Sequence, residues 1–211
     1  MHNFRTAFFA ALVFGTSLIA RADSVIPYGN VGHIAAQEPL VAIATSEIFG
    51  YFVSASAGHN DVVRMIDVTQ NWSSNWFFPN HSTALGASAD FGSVNAGDEL
   101  VFQIQDLTTD RIYGSEAAFS SDGANHAYSQ MFDGGLLDAA TFPAGVYIGM
   151  EDLAKGGSDW DYNDDTFLFT NTALDKSSPS APPAVSEPGS LALFGTGMLG
   201  TVGLIRRRFF N

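Results

Sequence analysis

Between Asp23 and Thr170 the apolar residues of this chain recur at every second position, and no long stretch carries the three-to-four spacing of an amphipathic helix. Phe49, Tyr51, Val53 and Ala55 would share one face of an extended segment. Leu100, Phe102 and Ile104 share another, with Val101, Gln103 and Gln105 opposite. Val146, Ile148 and Met150 form a third such set, and Phe167 and Phe169 pair in a last run. A period of two is the signature of a strand with one buried face. Val62–Val68, Arg111–Gly114 and His126–Phe132 are less regular strand candidates. Turn-forming clusters separate these runs: Ala57-Gly58-His59-Asn60, Asn95-Ala96-Gly97-Asp98, Ser121-Asp122-Gly123, Asp133-Gly134-Gly135 and Pro143-Ala144-Gly145. The 18 phenylalanines and 21 glycines, with only 15% charged residues, favour strands and tight turns over helices. The pattern predicts one all-β domain over residues 23–170, a β-sandwich of jelly-roll type.

The chain has no cysteine, so a disulfide framework, a thiolate zinc site and a cysteine nucleophile are all excluded. Stability must come from the core or from bound ions. All 22 acids lie between Asp23 and Ser190, where the only bases are Arg64, Arg111, Lys155 and Lys176. Such a surface repels nucleic acid and anionic membranes and attracts cations or basic partners. The same acidity would also serve solubility alone.

Both ends read as addresses. Residues 1–22 fit a signal peptide, with Arg5 as the charged start and Thr6 to Ile19 as a short apolar core. Ala20-Arg21-Ala22 fits the small-x-small cleavage rule, which puts the mature N-terminus at Asp23 and makes signal peptidase a processing partner. Residues 171–190 are rich in Ser, Pro and Ala and predict a disordered linker. Residues 191–211 form a tail in which Leu191–Ile205 is apolar and Arg206, Arg207 and Arg208 follow at once. As a helix that apolar run covers ~22 Å, short of the ~30 Å hydrocarbon core of a bilayer. A short transmembrane helix with a basic stop holds the body outside.

Val185-Ser186-Glu187-Pro188-Gly189-Ser190, the apolar run and the three arginines together resemble the PEP-CTERM sorting tail of Gram-negative bacteria. Ser186 stands where the first proline of the motif is usual, while Glu187-Pro188 is kept. The resemblance implies recognition and processing by an exosortase, a membrane protease-transpeptidase. It places the protein at the cell envelope or in the extracellular matrix.

The densest polar segment runs from Glu151 to Asp165 and holds six carboxylates and one lysine. Carboxylates ~4 Å apart repel by about 1 kcal/mol per pair even in water, and by more near a protein surface. A cation, or backbone amides capped by the side chains, would relieve that cost. Calcium suits the first option, because it takes six to eight oxygens in irregular geometry. The predicted ligands are Glu151, Asp152, Asp159, Asp161, Asn163 and Asp164. Asp159, Asp161 and Asn163 would share a face if the segment were extended, with Gly156 and Gly157 letting the chain fold back. An EF-hand is excluded: Asp164 stands where its glycine belongs, Thr170 where its glutamate belongs, and the flanking elements are strands.

The segment YIGMEDLAKGGSDWDYNDDTFLF resembles the signature of the "domain of unknown function 4114" family. The matching positions are Glu151, Asp152, Gly156, Gly157, Asp159, Asp161, Asn163 and Asp164. Met150 stands where the family often has Phe. With the upstream segments the similarity covers most of Ile43 to Thr170. It implies an exported, adhesin-like or matrix-associated module and no particular activity.

The scattered histidines His33, His59, His81 and His126 lack zinc-ligand spacing, and no catalytic serine elbow or phosphate loop occurs. The expectation is a non-enzymatic exported surface or matrix protein, relevant to biofilm, stabilised by calcium and sorted by an exosortase. One alternative is a carbohydrate-binding module that presents Trp72, Trp76, Phe77 and Phe78 to an extracellular polysaccharide. Another is a glycoside hydrolase using two acids of the 151–165 segment, which needs carboxylates ~5–10 Å apart across a cleft.

Overall fold

The computed structural model describes residues 32–176 except Asp138. The signal peptide, most of the linker and the sorting tail lie outside the described residues, and with them Ala20, Ala22, Glu187, Pro188, Arg206, Arg207 and Arg208. Among the described residues no helix is long and apolar enough to cross a membrane.

The described chain is an all-β sandwich, as the alternation predicts. One antiparallel sheet contains β13 (Thr172–Leu174), β1 (Leu40–Ala42), β6 (Glu99–Asp106), β3 (Asp61–Asp67) and β4 (Trp72–Ser73), in that order, with β7 (Arg111–Gly114) also paired to β6. The other runs β5 (Ser88–Val94), β2 (Ser46–Ala55), β12 (Asp165–Phe169), β11 (Gly145–Met150) and β8 (Ala127–Phe132). The chain passes repeatedly from one sheet to the other, as in a jelly roll rather than in two stacked meanders. β13 pairs with β1 inside the stretch read from sequence as linker, so the folded body extends to Leu174 and not to Thr170. A strand of three residues is too short to carry an apolar period that announces it.

The core between the sheets is aromatic. Phe102 of the first sheet stacks on Phe169 of the second at 3.8 Å, and Phe91 meets Phe169 edge-on at 5.2 Å. Gly50 of β2 makes room for them: a Cβ there would lie 2.4 Å from the Phe91 ring and 2.8 Å from that of Phe169. On β2 the inward residues are Ile48, Gly50 and Phe52, while Phe49 is exposed. The face predicted from Phe49, Tyr51 and Val53 is therefore the outer one. It is partly covered by a hairpin of β9 (Gly135–Leu137) and β10 (Ala140–Phe142), where Val53, Tyr147 and Leu168 pack with Leu137 and Phe142. That hairpin explains why β11 and β12 are buried on both faces.

Candidate metal centre

β11 ends at Met150 and β12 begins at Asp165, and the two are antiparallel neighbours. Residues 151–164 connect them and hold all six ligands predicted from the sequence. The connection is anchored by its own aromatics. Trp160 and Tyr162 are buried against Ala124, and the Tyr162 hydroxyl accepts a hydrogen bond from the Ala35 amide at 2.7 Å. His126, stacked on Tyr113 at 4.3 Å, lies 5.0 Å from the Trp160 ring. At Gly149 the Tyr162 carbonyl oxygen sits 2.3 Å from where a Cβ would be, so only glycine lets the loop lie down on β11.

The loop is not extended. Trp160 and Tyr162 have φ of 60° and 57°, the left-handed region, which costs a side-chain-bearing residue about 1–2 kcal/mol. Gly156 and Gly157, expected to provide the reversal, do not adopt positive φ and have nothing crowding them. What holds the two strained residues is Glu151. Its carboxylate accepts the Trp160 amide at 3.2 Å, the Tyr162 amide and the Ser158 hydroxyl. Charge-assisted bonds of this kind contribute about 1.5–3 kcal/mol each, enough to offset the backbone strain. Burial pushes the Glu151 carboxyl upward, and these three donors oppose the shift.

The alternating turn carries Asp159 and Asp161 back toward Glu151. Ligand oxygens of Glu151, Asp159 and Asp161 all lie within 4.8 Å of one another, a grouping that could hold a metal ion. Glu151 is buried, Asp161 half-buried and Asp159 exposed, so the group opens to solvent on one side. The other three predicted ligands point elsewhere. Asn163 bonds Asp161 with its side-chain amide and takes the Ser56 hydroxyl on its amide oxygen, tying the loop to the end of β2. Asp164 accepts the Asp152 amide at 3.0 Å, and the two carboxyls interact directly.

Asp152 and Asp164 belong to a second gathering of acids that the sequence reading did not assemble. Asp61 opens β3 in one sheet, and Asp165 opens β12 in the other. The Asp61 and Asp165 carboxyls interact directly, and both feel the charge of Asp152. Desolvation, then the charges of Asp152 and Asp106, pushes Asp61 up to about 7, and desolvation, then the charge of Asp61, pushes Asp165 up to about 9. Desolvation and the charges of Asp152 and Glu151 push Asp164 up to about 8. Asp106, paired with Asp61 across β3 and β6, is differently placed. It accepts from Thr108, Thr109 and His59 and is held below the usual carboxylate range despite desolvation. The one sequence signal for this group is an acid at the first position of a largely buried strand.

The aromatic platform expected for polysaccharide does not form. Phe78 is in the core between Phe52, Phe91 and Phe167, and Phe77 packs on Phe91 at 4.7 Å. Trp76 carries the Arg64 guanidinium 4.4 Å above its ring. Trp72 walls a cleft of about 290 Å³ with Asn75, Asp90 and Gly92, and no acid of the 151–165 segment lines it.

Residues 184–208 match the PEP-CTERM protein-sorting motif. That motif implies an exported protein sorted to the cell surface of a Gram-negative bacterium and processed by an exosortase. No curated protein matches the chain.

Proposed function

We propose that this chain is a non-enzymatic exported module, delivered to the cell surface or extracellular matrix by an exosortase and stabilised there by calcium. The sorting motif at residues 184–208 carries the reading. Calcium bonds to oxygen at about 2.3–2.6 Å, so its ligand oxygens lie up to about 5 Å apart. The 4.8 Å grouping of Glu151, Asp159 and Asp161 fits that range. Glu151 would bind as a pre-positioned ligand, Asp161 and Asp159 would close on the ion, and solvent would complete the shell on the exposed side. An ion at this point neutralises three clustered charges and fixes the loop that Trp160 and Tyr162 hold in strained conformations. The carboxylates of the loop are engaged with their own backbone rather than with a cleft, which favours a structural role over hydrolysis. The likeness of Ile43–Thr170 to the domain of unknown function 4114 family supports the same reading of an adhesin-like or matrix-associated body.

Sorting is tested by deleting residues 191–211 and fractionating the cells. The truncated protein is expected in the medium, and the full-length protein is expected to stay membrane-bound in a host without an exosortase. Identical fractionation of the two forms would contradict the proposal.

A further inference from the structure

We propose that the buried pair Asp61 and Asp165, with Asp152 and Asp164 as further charges around it, forms a second site for a hard divalent cation that clamps the two sheets together. It is separate from the Glu151 site, and the two stand or fall independently. Asp165 is 0% exposed and Asp61 2%. Both carboxylate oxygens of Asp165 and the Oδ1 of Asp61 are shielded from solvent and have no hydrogen-bond donor. The remaining oxygen of Asp61 takes one bond, from the Asn80 side-chain amide at 3.0 Å. A buried carboxylate left without a donor is among the most costly groups a fold can hold. Here two face each other, with Asp152, itself 2% exposed, as a third charge beside them.

A proton shared by Asp61 and Asp165 would bridge one pair of oxygens and leave the others bare. A cation bonded to both would use them together. The donor set is all oxygen, with no free imidazole or thiolate among these four residues, and that chemistry selects calcium or magnesium over zinc. The neighbouring imidazole of His59 is taken by Asp106 at 2.9 Å. Half-buried Asp164 lies on the solvent side and gives an ion a way in. Because Asp61 begins β3 and Asp165 begins β12, an ion between them joins the sheets at the end where the long loop leaves the sandwich.

The test is calcium binding and calcium-dependent melting of the purified full-length protein and its variants, with calcium as the probe. Wild type is expected to bind two ions. Asp165→Asn and, as a second variant should the first not fold, Asp61→Asn are each expected to bind one, with the lost site weakened about tenfold or more. Combined Asp159→Asn and Asp161→Asn should also leave one ion, at the clamp. In chelator Asp165→Asn should melt at or above wild type, because its amide donates to Asp61. One ion lost only in the Asp61 or Asp165 variants supports the clamp and rejects the loop site. Wild-type binding and a full calcium shift in both the Asp61 and Asp165 variants overturn the clamp, whatever the loop variants do.

Discussion

Two groups of carboxylates sit at the same end of the sandwich and meet burial in opposite ways. Glu151 is fully buried, yet three donors of its own loop surround it. Asp61 and Asp165 are equally buried and expose three oxygens to no donor at all. The difference follows from where each lies along the chain. Glu151 precedes an irregular connection whose amides turn to meet it. Asp61 and Asp165 are first residues of strands, where the amides are committed to sheet pairing or, at Asp61 itself, to the Asn80 side chain. An acid in a loop can recruit its own backbone, whereas an acid pinned between two sheets depends on something brought from outside.

The largest test of this contrast is Glu151→Ala. It strips the acceptor from the buried Tyr162 amide and one of two acceptors from the Trp160 amide, both at left-handed positions, and an unpaired buried donor costs about 1–3 kcal/mol. The variant is expected to lose about 2–5 kcal/mol in urea unfolding, in chelator as well as in calcium. A loss confined to calcium would mean that Glu151 is a metal ligand and little else.

Asp161→Ala sharpens the same comparison with a smaller, conditional effect. Asp161 serves the loop through the Asn163 amide at 3.1 Å and faces the cation position with Glu151 and Asp159. In chelator the variant should lie within about 2 kcal/mol of wild type, the worth of its two bonds from the backbone and side-chain amides of Asn163. In calcium it should lack most of the increment due to the loop site, about 2.7 kcal/mol at a hundredfold excess over Kd. Equal calcium increments in variant and wild type would reduce the loop acids to turn caps.

The smallest effect belongs to a buried acid outside both groups. Glu116 has an unpartnered buried oxygen, and desolvation, then the charge of Glu99, raises its pKa. The native state therefore binds its proton more tightly than the unfolded chain does. That stability is full below the ordinary carboxylate value and declines as pH rises through the raised one. Glu116→Gln should remove this decline without altering the response to calcium. Urea midpoints of variant and wild type around pH 4 and pH 7 would show it as a difference that grows with pH. A gap that does not change with pH would place the cause in packing.

The strands with strong alternation were legible from residue types: Leu100, Phe102 and Ile104 of β6 and Val146, Ile148 and Met150 of β11 all lie in the core. β5 was not, because Phe91 and Val94 are the only large apolar residues among Ser, Ala, Asp and Gly. The outer burial of Tyr147 and Leu168 depends on a hairpin distant in sequence, so local periodicity could not reveal it. At the metal centre, the acidic run marked the right loop, but treating it as extended joined six residues that the fold divides. Trp160 and Tyr162 turn Asp159 and Asp161 toward Glu151, while Asp164 pairs with Asp152, whose charge acts on Asp61, far away in the chain. Cross-sheet proximity of that kind arises only from the tertiary fold.

The claim that the folded body depends on calcium is tested most directly by melting the wild-type protein in millimolar calcium and in chelator. An ion that binds only the native state raises the melting temperature by several degrees at a hundredfold excess over Kd. That rise is expected, with its reversal by chelator and its reduction in Asp161→Ala. Superimposable melting curves in calcium and in chelator would contradict it.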